Sequence, residues 1–144
     1  MQNNKLIDYS LLWATLAPSV ITLSLRHPSQ HSTLQQWSFE GKPTINIGRC
    51  PNNDIVLHSS VVSRRHLAIR QMATRWQLIN FSSNGSYFQG QPFNQITVLD
   101  GMIIRLAFSG PQIQIHLGIN APTPILKYQQ SQNIMDKKSL VVSC

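Results

Sequence analysis

The chain has 144 residues, 42% of them hydrophobic and 12% charged, with no biased repeat. That is the size and mix of one folded domain with tails, which excludes a disordered chain and leaves no room for two full domains. Twelve Lys and Arg face five Asp and Glu, a formal net charge of +7, so acidic partners are favoured.

The five carboxylates are Asp8, Glu40, Asp54, Asp100 and Asp136, and none falls between Ile55 and Leu99, where Arg64, Arg65, Arg70 and Arg75 lie. That stretch attracts anions and offers no local acid for proton transfer or for a carboxylate metal site. Cys50 and Cys144 are far apart and form no CxxC pattern, so their spacing reads as neither a disulfide framework nor a zinc site and favours a reducing, cytoplasmic setting. Residues 11–25, "LLWATLAPSVITLSL", read poorly as a signal peptide, because Asp8 cancels Lys5 and Pro18 interrupts the run. They are also too short for a membrane span.

In chain order, residues 1–18 form an N-terminal segment in which "KLIDYSLLWATLA" fits a short helix ended by Pro18. Period-two alternation then takes over at 20–25, 34–40 and 44–48. Short strands continue at 54–57, 66–71, 75–81, 86–90, 96–99, 102–108 and 112–117. In "QIQIHL" at 112–117, Ile113, Ile115 and Leu117 alternate with polar residues, as a half-buried antiparallel strand requires. Turn chemistry separates the strands at "CPNND", "SSNGS", "GQP" and "DG". About ten strands without long helical periodicity predict an all-β sandwich over residues 19–117, with a small barrel as the alternative. From Gly118 the text turns Pro- and Gln-rich, so 118–144 reads as a linker or mobile tail.

Three inter-strand segments belong together: "IGRCPNND" at 47–54, "VVSRRH" at 61–66 and "NFSSNGS" at 80–86. If they share one rim of the sandwich, Arg49, Ser63, Arg64 and Asn84 converge there. A phosphoryl group, with three acceptor oxygens and about −1.5 to −2 charge, wants such forked guanidinium donors and a hydroxyl. Each charge-assisted bond contributes roughly 1.5 to 3 kcal/mol, so two or three cover only part of the ~8 kcal/mol of a micromolar complex. Contacts to a main chain beside the phosphate must add the rest, and the amide of Asn84 is equipped for them.

In order, Gly48-Arg49, Ser63-Arg64-Arg65-His66 and Asn84-Gly85 resemble the signature of the forkhead-associated (FHA) domain family over residues 20 to 117. The resemblance implies an FHA-like β-sandwich of about eleven strands in two antiparallel sheets, which binds phosphothreonine peptides through loops at one end without catalysis or cofactor. By the same resemblance Arg49, Ser63 and Arg64 would bind the phosphate, Ser83 would reach it, and Asn84 would hold the ligand main chain. Gly48, His66 and Gly85 would shape the loops. Cys50 and Arg65 depart from the family's commonest pattern and bear on specificity.

Competing readings are weaker. His66 follows Ser63 by three residues, but no acid stands near to orient it and no nucleophile elbow appears. His27 and His31 are four apart, yet Pro28 argues against the helix that would align them on a metal. The net charge, with Trp76, Tyr87 and Phe88, raises a small basic nucleic-acid binder, although such aromatics are more often core. A scaffold that has lost phosphate dependence is the third reading. The expectation is thus a noncatalytic module, without metal or membrane insertion, that docks a partner phosphorylated on threonine by a Ser/Thr kinase. Thr123 in the tail would itself offer such a group to a neighbouring copy if phosphorylated.

Overall fold

The structure is a computed structural model that describes residues 17–30 and 32–118. The expected N-terminal helix, the tail, Thr123 and His31 lie outside the described residues. Among the described residues there is no helix, and eleven strands follow one another: β1 (Val20–Arg26), β2 (Thr33–Glu40), β3 (Thr44–Gly48), β4 (Ile55–Val56), β5 (Leu67–Gln71), β6 (Trp76–Asn80), β7 (Ser86–Phe88), β8 (Gln91–Pro92), β9 (Gln95–Thr97), β10 (Ile103–Leu106) and β11 (Gln112–Leu117). They form two sheets, ordered β2-β1-β11-β10-β7-β8 and β4-β3-β5-β6-β9. All pairs are antiparallel except β3 with β4, which run parallel with Ile47 opposite Ile55; the expectation of two purely antiparallel sheets is corrected at that edge.

Alternation places the core between the sheets. Ile21 and Leu23, Ile45 and Ile47, Leu67 and Ile69, Ile104 and Leu106, and Ile113 and Ile115 are all inaccessible to solvent. Trp37 and Trp76 fill the widest gaps. Trp76 donates its indole N–H to the Pro18 carbonyl at 2.9 Å, so its ring is structural and unavailable for stacking on a base.

Two turns differ from their expected form. "GQP" holds a strand, because Gln89 (φ 53°) and Gly90 (φ 80°) close a two-residue turn that pairs Phe88 with Gln91, the left-handed pair a tight hairpin requires. "SSNGS" is no hairpin, since β6 and β7 lie in different sheets; its chain carries the backbone from one layer to the other. The segments after β3, between β4 and β5, and after β6 meet at this same end.

Because the core is one contiguous cluster, truncating a wholly buried member leaves a cavity. Ile104→Ala should lower unfolding free energy by about 2 to 5 kcal/mol, read from the denaturant midpoint at unchanged slope.

Candidate phosphate-binding rim

The rim begins where β3 ends. Gly48 packs so tightly that a Cβ there would lie 2.1 Å from the Arg64 carbonyl oxygen and 2.8 Å from Asn53 Nδ2, so only glycine admits this approach. The closeness lets two chain segments zip together. The Arg49 N–H donates to Ser63 O at 2.9 Å, the Cys50 N–H to Arg64 O at 3.2 Å and the His66 N–H to Ile47 O at 2.9 Å. Asn53, only 4% exposed, donates its amide to both Cys50 O and Arg64 O.

Between β4 and β5 the chain is pinned on both sides of Ser63. Val62 is wholly buried in the core and His66 is inaccessible. His66 Nδ1 accepts the Ser63 N–H at 3.0 Å, and Nε2 lies 2.8 Å from the Gly85 carbonyl oxygen. A nitrogen that accepts carries no proton, so Nε2 bears the hydrogen and the ring is neutral. Burial holds its pKa below the usual histidine value, against a smaller upward pull from the Gly85 bond. Both ring nitrogens are engaged by main chain, which leaves none to act as a catalytic base.

The third segment is shaped by side chains. Asn80 Oδ1 accepts from Ser82 N and from Ser86 Oγ, while its amide donates to Ser82 O. Gly85 sits at φ 86°, in the left-handed region that favours glycine. Ser82, 6% exposed, accepts the Asn84 N–H and lies 2.6 Å from Ser63 Oγ. With Ser82 donating to Ser63, the Ser63 hydrogen is left for a ligand.

Arg49, Ser63, Arg64 and Asn84 therefore lie on segments that meet at one end. Arg49 is exposed and spends only its Nε–H, on Val62 O at 3.0 Å, so its terminal N–H groups stay available. Arg64 is exposed, with its own carbonyl fixed by Cys50 and Asn53. Asn84 is exposed and bridges to Val61 O through its amide at 2.9 Å, which leaves the side-chain carbonyl outward. Ser83 is exposed, but it is Ser82 that touches Ser63. Arg65 turns aside, its guanidinium 3.9 Å from the centroid of Phe81. Among the described residues the ion pairs are Lys42 with Asp54 and His116 with Asp100, and none of these involves Arg49, Arg64 or Arg65.

Ser82, Asn53 and Asn80 were missed in the sequence. An Asn followed by a buried serine two positions on was the available signal, but it reads equally as an ordinary turn. Cys50, 5% exposed, is disulfide-bonded rather than the thiol that the cysteine spacing suggests; the other cysteine, Cys144, lies outside the described residues. A concavity of about 960 Å³ lies elsewhere, lined by residues of β7 and β10 and their adjoining turns, and its lining contains neither Arg49, Ser63, Arg64 nor Asn84. His27 caps a turn by accepting from Ser29 N and Gln30 N.

The FHA domain family model matches residues 45–107, which span all three rim segments. The matched segment is thus similar to FHA domains. Over 66 residues the chain is 34% identical to the glycogen accumulation regulator GarA of Mycolicibacterium smegmatis, a match covering 45% of this chain and 42% of that protein. The chain thus spans less than half the length of this relative. Among solved structures, EmbR of Mycobacterium tuberculosis, in complex with a low-affinity phosphopeptide, shares 25% identity at a TM-score of 0.58 over 71% of this chain and 26% of that one. The FhaA FHA domain, complexed with the intracellular domain of Rv3910, shares 29% identity at a TM-score of 0.53, covering 67% of this chain and 99% of that one.

Two outcomes follow for this domain. Its His66 is favoured neutral in the fold, so the unfolded chain takes up the proton first. The stability this contributes is complete above about pH 6.5 and is lost as pH falls from there through the lower folded value. Denaturant midpoints should decline below pH 6.5 in the wild type and lose that component in His66→Gln; a flat wild-type profile would contradict the buried neutral ring. Gly48→Ala should open the contact between β3 and the Arg64 carbonyl, and amide hydrogen exchange should show lost protection at Cys50 and His66.

Proposed function

We propose that this chain is a noncatalytic module that binds phosphothreonine peptides and so couples a Ser/Thr kinase to a protein partner. The observation that carries the reading is the convergence of Arg49, Ser63, Arg64 and Asn84 on one rim, where no ion pair among the described residues engages either arginine. In this reading Arg49 and Arg64 hold the phosphate oxygens, the Ser63 hydroxyl donates to a third, and Ser83 lies within the same loop as a further donor. Asn84 turns its amide to the ligand main chain. Gly48, His66 and Gly85 keep the three segments in register. The phosphopeptide bound by EmbR and the protein domain bound by FhaA support this assignment.

The dependence on phosphorylation has a simple origin. Guanidinium groups gain strongly from a dianionic phosphoryl and little from a hydroxyl. Catalysis has no candidate base here, because both nitrogens of His66 are bonded to main chain. A nucleic-acid reading loses one of its supports through the burial of Trp76. No helix among the described residues is long and apolar enough to cross a membrane. We also propose the division of the chain into an N-terminal segment to residue 18, the domain at 19–117, and a tail from residue 118.

Calorimetric titration with paired threonine and phosphothreonine peptides tests the reading. Binding should appear only with the phosphorylated member, and equal affinity for both would refute it. Arg49→Ala should weaken phosphopeptide binding by one to two orders of magnitude, about the worth of one charge-assisted contact, with an unchanged denaturant midpoint. Asn84→Ala should also weaken phosphopeptide binding at an unchanged denaturant midpoint, and an unchanged affinity would remove Asn84 from the ligand main chain.

A further inference from the structure

Beside the phosphate rim, on the flank formed by the segment after β3, lies a separate depression of about 300 Å³ lined by Asn46, Cys50, Asn52, Asn53, Arg64 and Arg65. We propose that it is a second anion subsite, taking a carboxylate or a further phosphoryl group carried by the same peptide that docks at Arg49 and Ser63. The proposal rests on the peptide-binding reading above and adds to it the class of sequence preferred.

Four observations support it. Two arginines line one depression whose lining contains no acid, and Asp54, the nearest carboxylate in the sequence, is turned to the Asn46 N–H at 2.7 Å and to Lys42 at 3.2 Å. Arg65 is held over the Phe81 ring at 3.9 Å, so much of the entropy of ordering a long side chain is already lost before a ligand arrives. The floor is rigid, because Asn53 is 4% exposed and clamps the Cys50 and Arg64 carbonyls. Finally, the Asn46 side-chain oxygen is a buried acceptor without a partner among the described residues. An acceptor wants an N–H. An anionic side chain together with the main-chain N–H beside it satisfies both halves of the site, which a bare inorganic anion does not. Stacking of a nucleobase is disfavoured, because the one aromatic face at this flank, that of Phe81, is occupied by Arg65.

Arg64 lines this depression and also belongs to the phosphate rim, so the second group must sit close in sequence to the phosphothreonine, and Arg65 is the residue that distinguishes the two. Phosphothreonine peptides carrying Asp, phosphoserine, Ala or Lys in turn at each flanking position, titrated by fluorescence anisotropy against the full chain, test this. On one side of the phosphothreonine, Asp and phosphoserine should bind between about two- and fivefold more tightly than Ala, the range of a partly exposed ion pair, and Lys more weakly. Arg65→Gln should abolish the preference and Phe81→Ala should reduce it, while both retain discrimination between phosphorylated and unphosphorylated peptide. Preference unchanged in Arg65→Gln, or equal affinity for all flanks in a wild type that still requires the phosphate, would overturn the second subsite alone. A wild type indifferent to the phosphate itself would overturn the peptide-binding reading and this inference with it.

Discussion

Everything at the rim depends on one neutral imidazole. His66 accepts the Ser63 N–H and reaches the Gly85 carbonyl, so a single buried ring couples the segment between β4 and β5 to the segment between β6 and β7. Both groups it bridges are main chain. Their positions are thus set by the ring, and the half-buried Ser63 side chain is held against Ser82 at the rim. A charged ring would present a donor to Ser63 N–H, and a lysine or glutamine lacks the planar, two-ended geometry. Histidine is required here for its shape and its tautomer.

The second constraint is steric. Gly48 lets β3 approach the Arg64 carbonyl, and Arg49, Cys50 and Asn53 then hold that approach by hydrogen bonds. These two devices act on the same short segment from opposite sides. Ser63 and Arg64 occupy the interval between them, with Val62 sunk into the core. The result is a rigid backbone bearing exposed side chains. Several like charges gathered on such a surface repel one another, and the sandwich core must offset that cost. A dianion relieves it.

How much of this was legible in the sequence varies by element, for physical reasons. Strands with clear alternation, such as β11 and β3, were read with correct bounds because one face is buried and the other wet. β8 was missed since two residues, one of them proline, carry no periodicity, and only the backbone angles of Gln89 and Gly90 reveal the turn before it. The turn at Asn84-Gly85 was legible, but its local chemistry does not disclose that β6 and β7 belong to different layers. The motif residues were found through their resemblance to a family, yet what holds them was not. Asn53, Asn80 and Ser82 act through partners that are distant in sequence or common in any turn.

The distinction between Ser82 and Ser83 shows how the site divides its labour. Adjacent hydroxyls in an extended or turning chain cannot face the same way, so one of the pair must point inward. Ser82 does, and its bond to Ser63 Oγ passes the Asn84 N–H on through two hydroxyls toward the rim. Such a relay aligns the Ser63 hydrogen without occupying it, provided the inner serine donates. Ser83 is then left exposed on the same loop. The buried hydroxyl orders the Ser63 donor inside the fold, and the exposed one is left at the surface, where charge-assisted bonds can form without a buried polar group being stranded.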